Sequence, residues 1–188
     1  MKKTTKLFLM AMLCLFLRQN TTAQQPTIQA FKVGDKLPES FWNQEYTIVQ
    51  NSKTATQNLR NFKDKLLIFD FWATWCGSCI ETFSFSDSLQ RVHGDKLAII
   101  LVNCKNVSDK PERIANVMQE YGKDLRSITG DTILTKLFPH RVIPHYVWIE
   151  SGQFRSATGS EFLTAEAIST LLKRRSEIEK ITSKSVKN

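Results

Sequence analysis

The chain has 188 residues, 41% of them hydrophobic and 23% charged, with seven Gly and five Pro, a balance that excludes a collagen, a mucin-like stalk or a long disordered tail. A single domain of this length buries roughly two-thirds of the surface its unfolded form exposes and needs neither metal nor disulfides to fold, so the four cysteines call for a chemical explanation. The formal charge of +8 would suit nucleic acid or an anionic membrane only if it were gathered on one face.

Residues 1–23 open with Met1-Lys2-Lys3-Thr4-Thr5-Lys6, continue through the apolar run Leu7 to Leu17 and end Thr21-Thr22-Ala23. This is the layout of a secretory signal peptide cleaved after Ala23. The run is too short for a spanning helix, which needs about 20 residues, so the chain from Gln24 is expected in the periplasm. Cys14 leaves with this segment, and Ala11-Met12-Leu13 before it lacks the small residues of a lipoprotein cleavage box. Lys2, Lys3, Lys6 and Arg18 carry half of the formal charge, and the tail from Lys173 to Asn188, with six basic and two acidic residues, carries the other half. The body between them is neutral, which excludes a basic nucleic-acid stripe. Cys76, Cys79 and Cys104 remain, in an oxidising compartment.

Residues 24–40 form a polar lead-in that should pack on the edge of the domain, and Tyr46 to Gln50 suits a short strand. Lys65 to Trp72 is nearly unbroken apolar sequence, as in a strand buried on both faces, interrupted by one carboxylate, Asp70. A helix is expected from Cys76 to His93, stopped by Gly94. Its apolar residues move from Ile80 and Phe83 to Phe85, Leu89 and Val92, which predicts a bend or packing on two sides. Lys96 to Asn103 is a second buried strand, completing a parallel βαβ unit.

Asp109, Pro111 and Glu112 mark a helix start. The helix places Ile114, Val117, Met118 and Tyr121 on one face and ends at Gly122. A short segment near Leu125 to Ile128 and a helical stretch from Ile133 to Leu137 lead to Ile143-Pro144. His145 to Glu150 and Gln153 to Thr158 flank Ser151-Gly152, a two-residue hairpin signature. A final helix from about Thr164 carries Ile168, Leu171 and Leu172, and Ile178 and Ile181 continue it into the basic tail, residues 173–188. The sum over residues 41–172 is a three-layer α/β/α fold around a central mixed sheet of four or five strands.

The strongest signal is Trp72-Ala73-Thr74-Trp75-Cys76-Gly77-Ser78-Cys79, where the first buried strand turns into a helix. Two intervening residues put the thiols about one helical turn apart, within the 4.4–6.8 Å Cα range of roughly ideal disulfides. Unpaired N–H groups and the positive end of the macrodipole at the helix start favour a Cys76 thiolate, and Cys79, one turn inward, would be shielded and act second. A structural disulfide gains little from closing so small a ring. A zinc site needs a second ligand pair, and only Cys104 with His93, His140 or His145 could supply one, in no recognisable spacing. Haem attachment needs His where Ile80 stands. Redox chemistry without metal or cofactor is the expectation; Cys104 is expected to be packing, and His93 and His140 surface residues.

These residues resemble the thioredoxin superfamily, and within it the exported TlpA/ResA-like thiol-disulfide oxidoreductases, from about Phe31 to Leu172. Val33-Gly34-Asp35-Lys36-Leu37-Pro38 is similar to the lead-in of that branch, Phe71 to Cys79 to its active site and Ile143-Pro144 to its cis-proline loop. Ser78 departs from the common Pro, and His145 from a frequent Thr. The resemblance implies that Asp70 assists proton transfer at Cys79, and that Trp75, Ile143 and Pro144 line the surface that holds an extended substrate. An acid in an apolar strand independently has a raised pKa.

The function expected is a periplasmic reductase of protein disulfides. Cys76 attacks, a mixed disulfide forms and Cys79 resolves it. Its partners are disulfide-containing proteins and an electron-donating thiol protein, soluble or membrane-bound; nucleic acid is not among them, and a monomer is expected. Gly77-Ser78 supplies no charge to stabilise the thiolate as an oxidant's His would, which favours reduction. A peroxiredoxin-like peroxidase is an alternative, but its Pro and Thr or Ser before the reactive Cys are replaced by Phe69 and Ala73. A non-catalytic thioredoxin-like binding or chaperone module is the other alternative.

Overall fold

The computed structural model describes residues 28–122 and 124–185. The expected signal peptide, Cys14 and the expected cleavage point after Ala23 lie outside the described residues. Seven strands form one sheet in the order β2-β1-β5-β4-β3-β6-β7: β1 Tyr46–Gln50, β2 Lys53–Gln57, β3 Leu66–Trp72, β4 Leu97–Cys104, β5 Arg126–Asp131, β6 His145–Glu150 and β7 Gln153–Thr158. The central strands β3, β4 and β5 are parallel, and β1, β6 and β7 join antiparallel to their inner neighbours. Every residue of β3 and β4 is buried, as their continuous apolar sequences require.

The sheet is two or three strands wider than expected. β2 is exposed at all five positions, so no face of it carries an apolar alternation to read. It is held by its ladder to β1 and by a turn whose Asn51 and Ser52 both have positive φ, 51° and 58°, the twist that suits a two-residue hairpin. β5 reads in the sequence only as a short segment because four of its six residues are polar; its ladders to β4 and β1 hold it in the sheet.

Among the described residues six α-helices flank the sheet: α1 Glu39–Asn43, α2 Gly77–Glu81, α3 Phe83–His93, α4 Pro111–Glu120, α5 Leu134–Leu137 and α6 Ala165–Ser185. The expected helix from Cys76 to His93 is two, breaking at Thr82, where the apolar face changes. One side of the sheet buries Leu67, Phe69 and Phe71 against Phe41, Trp42 and Phe138. The other buries Leu66 and Ile68 against Leu89, Trp148 and Ile168, and Trp72 and Leu101 against Cys79, Phe83 and Met118. Tyr121 lies just past the end of α4 and is 48% exposed, so it leaves the apolar face expected of it.

The lead-in runs along β7. The Gly34 N–H donates to the Phe154 carbonyl, the Phe154 N–H to the Asp35 carbonyl and the Leu37 N–H to the Gly152 carbonyl, which covers one sheet edge. At the other end of the chain, α6 continues to Ser185 with Ile178 and Ile181 exposed. No helix among the described residues is long and apolar enough to cross a membrane.

Candidate active site

The site lies where β3 ends and α2 begins. Cys76 is the N-cap of α2 and Cys79 lies within it; they form a disulfide with Cα atoms 5.3 Å apart. Cys79 is fully buried and Cys76 is 6% exposed, so the expected order of accessibility is present, though Cys76 is far less open than an exposed thiol. The Ser78 hydroxyl donates to Cys76 Sγ at 3.6 Å, a contact Pro could not make.

The turn before Cys76 is held from a distance. Asp109 accepts from the Thr74 backbone N–H at 2.7 Å, the Thr74 hydroxyl at 2.6 Å and the Asn103 amide at 2.7 Å. The sequence reading made Asp109 a helix-start residue. The helix does start beside it, at Pro111, with Lys110 as its N-cap, but the carboxylate serves the active-site turn. Trp72 is anchored by its indole N–H to Ser127 Oγ at 3.1 Å and by an edge-to-face contact with Phe83 at 5.2 Å.

Asp70 is fully buried, and neither of its oxygens makes a hydrogen bond among the described residues. Burial pushes its carboxyl well above the usual range, with the Tyr146 phenol opposing that rise. An acid so placed exchanges protons nearer neutrality than a surface carboxylate.

The Ile143-Pro144 peptide bond is cis. Trp75, 61% exposed, forms with Val107, His140, Arg141, Val142 and Ile143 the wall of a cleft of about 430 Å³. A larger cavity of about 660 Å³ lies between the β1–β2 hairpin and α4 and touches neither Cys76 nor Cys79. His140 is not the surface residue expected. Its ring stacks on His145 with centroids 4.8 Å apart and packs on Phe71 at 4.3 Å, contacts with no local sequence signal because four residues separate the two imidazoles. Burial, reinforced by His140, pushes His145 down to about 4.

Cys104 is buried, 4.0 Å from Asp131 Oδ2, and burial with that neighbouring charge pushes its thiol up to about 12. It is inert packing at neutral pH. No cluster of three metal-binding side chains occurs among the described residues.

Comparison with known proteins shows what the chain is similar to. The thioredoxin family model matches residues 46–118, which contain the cysteine pair and both buried strands. Over that segment the chain is similar to thioredoxin. Among curated relatives, the thioredoxin-like protein YneN of Bacillus subtilis is 30% identical over 64 residues, 34% of this chain and 38% of that one. The chain thus spans well under half the length of that relative. Among solved structures, the thioredoxin domain of a thiol-disulfide oxidoreductase from Bacteroides vulgatus superposes with a TM-score of 0.57 at 13% identity, covering 77% of this chain and 98% of that one. A mutant of PrxQ from Xylella fastidiosa gives 0.57 at 16% identity over 80% and 99%. The chain therefore shares its fold with both proteins, and fold alone does not assign its function.

Proposed function

We propose that this protein is an exported thiol-disulfide oxidoreductase that reduces disulfides of other proteins in the periplasm. The observation that carries this reading is the Cys76–Cys79 disulfide at the start of α2, with only Cys76 reaching the surface. Once reduced, Cys76 faces the free N–H groups of the first turn, which favour its thiolate. It attacks a substrate disulfide, and Cys79 displaces the substrate from the mixed disulfide. Asp70 takes the Cys79 proton. The backbone at Ile143-Pro144 holds an extended substrate segment by strand-like hydrogen bonds, with Trp75 as the apolar side of the cleft.

Reduction rather than oxidation is favoured because neither Gly77 nor Ser78 carries a charge and His145 is neutral down to about pH 4, leaving little cationic stabilisation of the thiolate. Electrons must come from a second thiol protein. Export rests on the leader, residues 1–23. The peroxidase alternative lacks its motif at Phe69 and Ala73, and a pure binding module has no use for a buried, unpaired Asp70 in the strand that leads into a dithiol. Insulin reduction by dithiothreitol, with and without the protein, tests the proposal. Acceleration supports it, and an unchanged rate together with hydrogen-peroxide consumption would favour the peroxidase.

A further inference from the structure

Asp70 is sealed. Both oxygens are without hydrogen bonds, and its register neighbour on β4 is Leu101, so no cation meets it from that strand. A group that takes a proton from Cys79 in every turnover must also release it. Its register neighbour on the other side is Tyr146 of β6, itself fully buried, whose hydroxyl lies 3.1 Å from Thr82 Oγ1. The Thr82 hydroxyl donates to the Cys79 carbonyl at 2.7 Å. That bond uses the only Thr82 hydroxyl proton, so the Tyr146 hydroxyl is the donor to Thr82, and a lone pair on Tyr146 Oη is left to accept. Thr82 is half-buried at the break between α2 and α3, where water can reach it.

We propose that Tyr146 and Thr82 are positioning residues that carry the Asp70 proton to solvent. The proposal rests on the oxidoreductase reading. In the resolving step the Cys79 thiol gives its proton to the Asp70 carboxylate as its sulfur attacks Cys76 Sγ of the mixed disulfide. The Cys76–Cys79 bond forms, the bond to the substrate sulfur breaks, and the substrate leaves as a thiolate that takes a proton from water. Asp70 then donates to Tyr146 Oη, Tyr146 passes its own proton to Thr82 Oγ1, and Thr82 releases one to water. Both hydroxyls end with the protons they began with, and no electrons move along this path.

Around Asp70, β4 presents Leu101 and β6 presents Tyr146, and Leu101 packs in the same buried cluster as Cys79 and Phe83. Of these only Cys79 and Tyr146 titrate. Burial raises both Asp70 and Tyr146, and each acts on the other, which places the two groups within electrostatic reach of one another. Packing alone would be served by Phe at position 146, without a hydroxyl to satisfy.

The test is rapid-quench mass spectrometry of the reduced protein mixed with oxidised glutathione, which follows both the Cys76–glutathione adduct and its loss as Cys79 attacks. Tyr146→Phe should slow that loss about tenfold, a fraction of what general acid–base groups contribute, and move the midpoint of its pH dependence upward, while adduct formation is unchanged. Thr82→Val should do the same, Thr82→Ser should restore the rate, and the double variant Tyr146→Phe/Thr82→Val should be no slower than either single one. Equal rates for Tyr146→Phe and wild type at every pH, equal rates for Thr82→Val and Thr82→Ser, or additive losses in the double variant would overturn the relay. The assay needs no protein substrate. A wild type that resolves glutathione through these residues yet reduces no insulin removes the protein-disulfide reading and leaves the relay standing.

Discussion

Asp109 grips Thr74 with both carboxylate oxygens, 2.7 Å from its N–H and 2.6 Å from its hydroxyl, and thereby fixes the turn that delivers Cys76 to the start of α2. Asp109→Ala leaves the Thr74 N–H without its acceptor in a part-buried site and leaves the Asn103 amide only its longer bond to the Trp72 carbonyl at 3.4 Å. The expected loss is about 2–3 kcal/mol, and Asp109→Asn, which keeps one acceptor, should lose less. Urea denaturation of the oxidised proteins measures both. A loss below about 0.5 kcal/mol in the Ala variant, the usual range of a neutral surface change, would contradict the clamp.

Asp70 makes stability fall with pH. Its native pKa is raised by burial, so above the ordinary carboxylate range, about 3.9, the native state holds a proton that the unfolded chain has released. Stability is therefore full below that range and is lost as pH rises through the native pKa. Asp70→Asn removes the ionisation. Its thermal midpoint should match wild type near the acid end and exceed it increasingly toward neutral pH; parallel curves would refute this assignment.

His145 should remain neutral until the pH reaches about 4. With its native pKa depressed below the unfolded value, about 6.5, its contribution to stability is present above that value and is lost as pH falls through the native one. Titration of the imidazole signals by NMR should show this midpoint, and His140→Ala should raise it by removing the neighbouring charge. A His145 midpoint at the unperturbed value would contradict the stacked pair.

Glu150 is nearly buried, with side-chain exposure of 6%, and is held by Arg174 at 2.8 Å and Arg155 at 3.2 Å. Arg174 thus ties α6 to the β6–β7 hairpin. Arg174→Ala should cost about 1–2 kcal/mol, since one charged partner is removed and one remains. Arg91→Ala removes an exposed guanidinium that pairs with Asp87 one helical turn away and, at 3.8 Å, with the exposed Asp124, and should cost less than about 0.5 kcal/mol. Equal effects in chemical denaturation would mean that α6 is not anchored through Glu150.

The parts of this fold legible in the sequence are those with local physical signals. β3 and β4 are unbroken apolar runs, Ser151-Gly152 dictates a hairpin in which both residues have positive φ, and the Cys76–Cys79 spacing dictates a one-turn pair. β2 carries no such signal, because an exposed polar edge strand is specified by its partner. The site residues missed, Asp109, Thr82 and Tyr146, act across 35 residues from Asp109 to Thr74 and 64 from Thr82 to Tyr146, distances at which only the folded chain reveals contact. Asp109 had a sufficient local explanation as a helix start, and His140 sufficed as a loop residue, which is why their tertiary roles were hidden.

The central claim is that Cys76 attacks and Cys79 resolves, and substrate trapping tests it most directly. Cys79→Ser, Cys76→Ser and Cys104→Ser are expressed for export, free thiols are blocked by acid and alkylation, and non-reducing and reducing gels are compared before partners are identified by mass. The account predicts long-lived mixed disulfides with Cys79→Ser, few with Cys76→Ser, and an unchanged set when Cys104→Ser is added to the trapping variant, because the buried Cys104 thiol is pushed up to about 12. Equal trapping by Cys76→Ser and Cys79→Ser would contradict the assigned order, and no trapping by either would contradict the oxidoreductase itself.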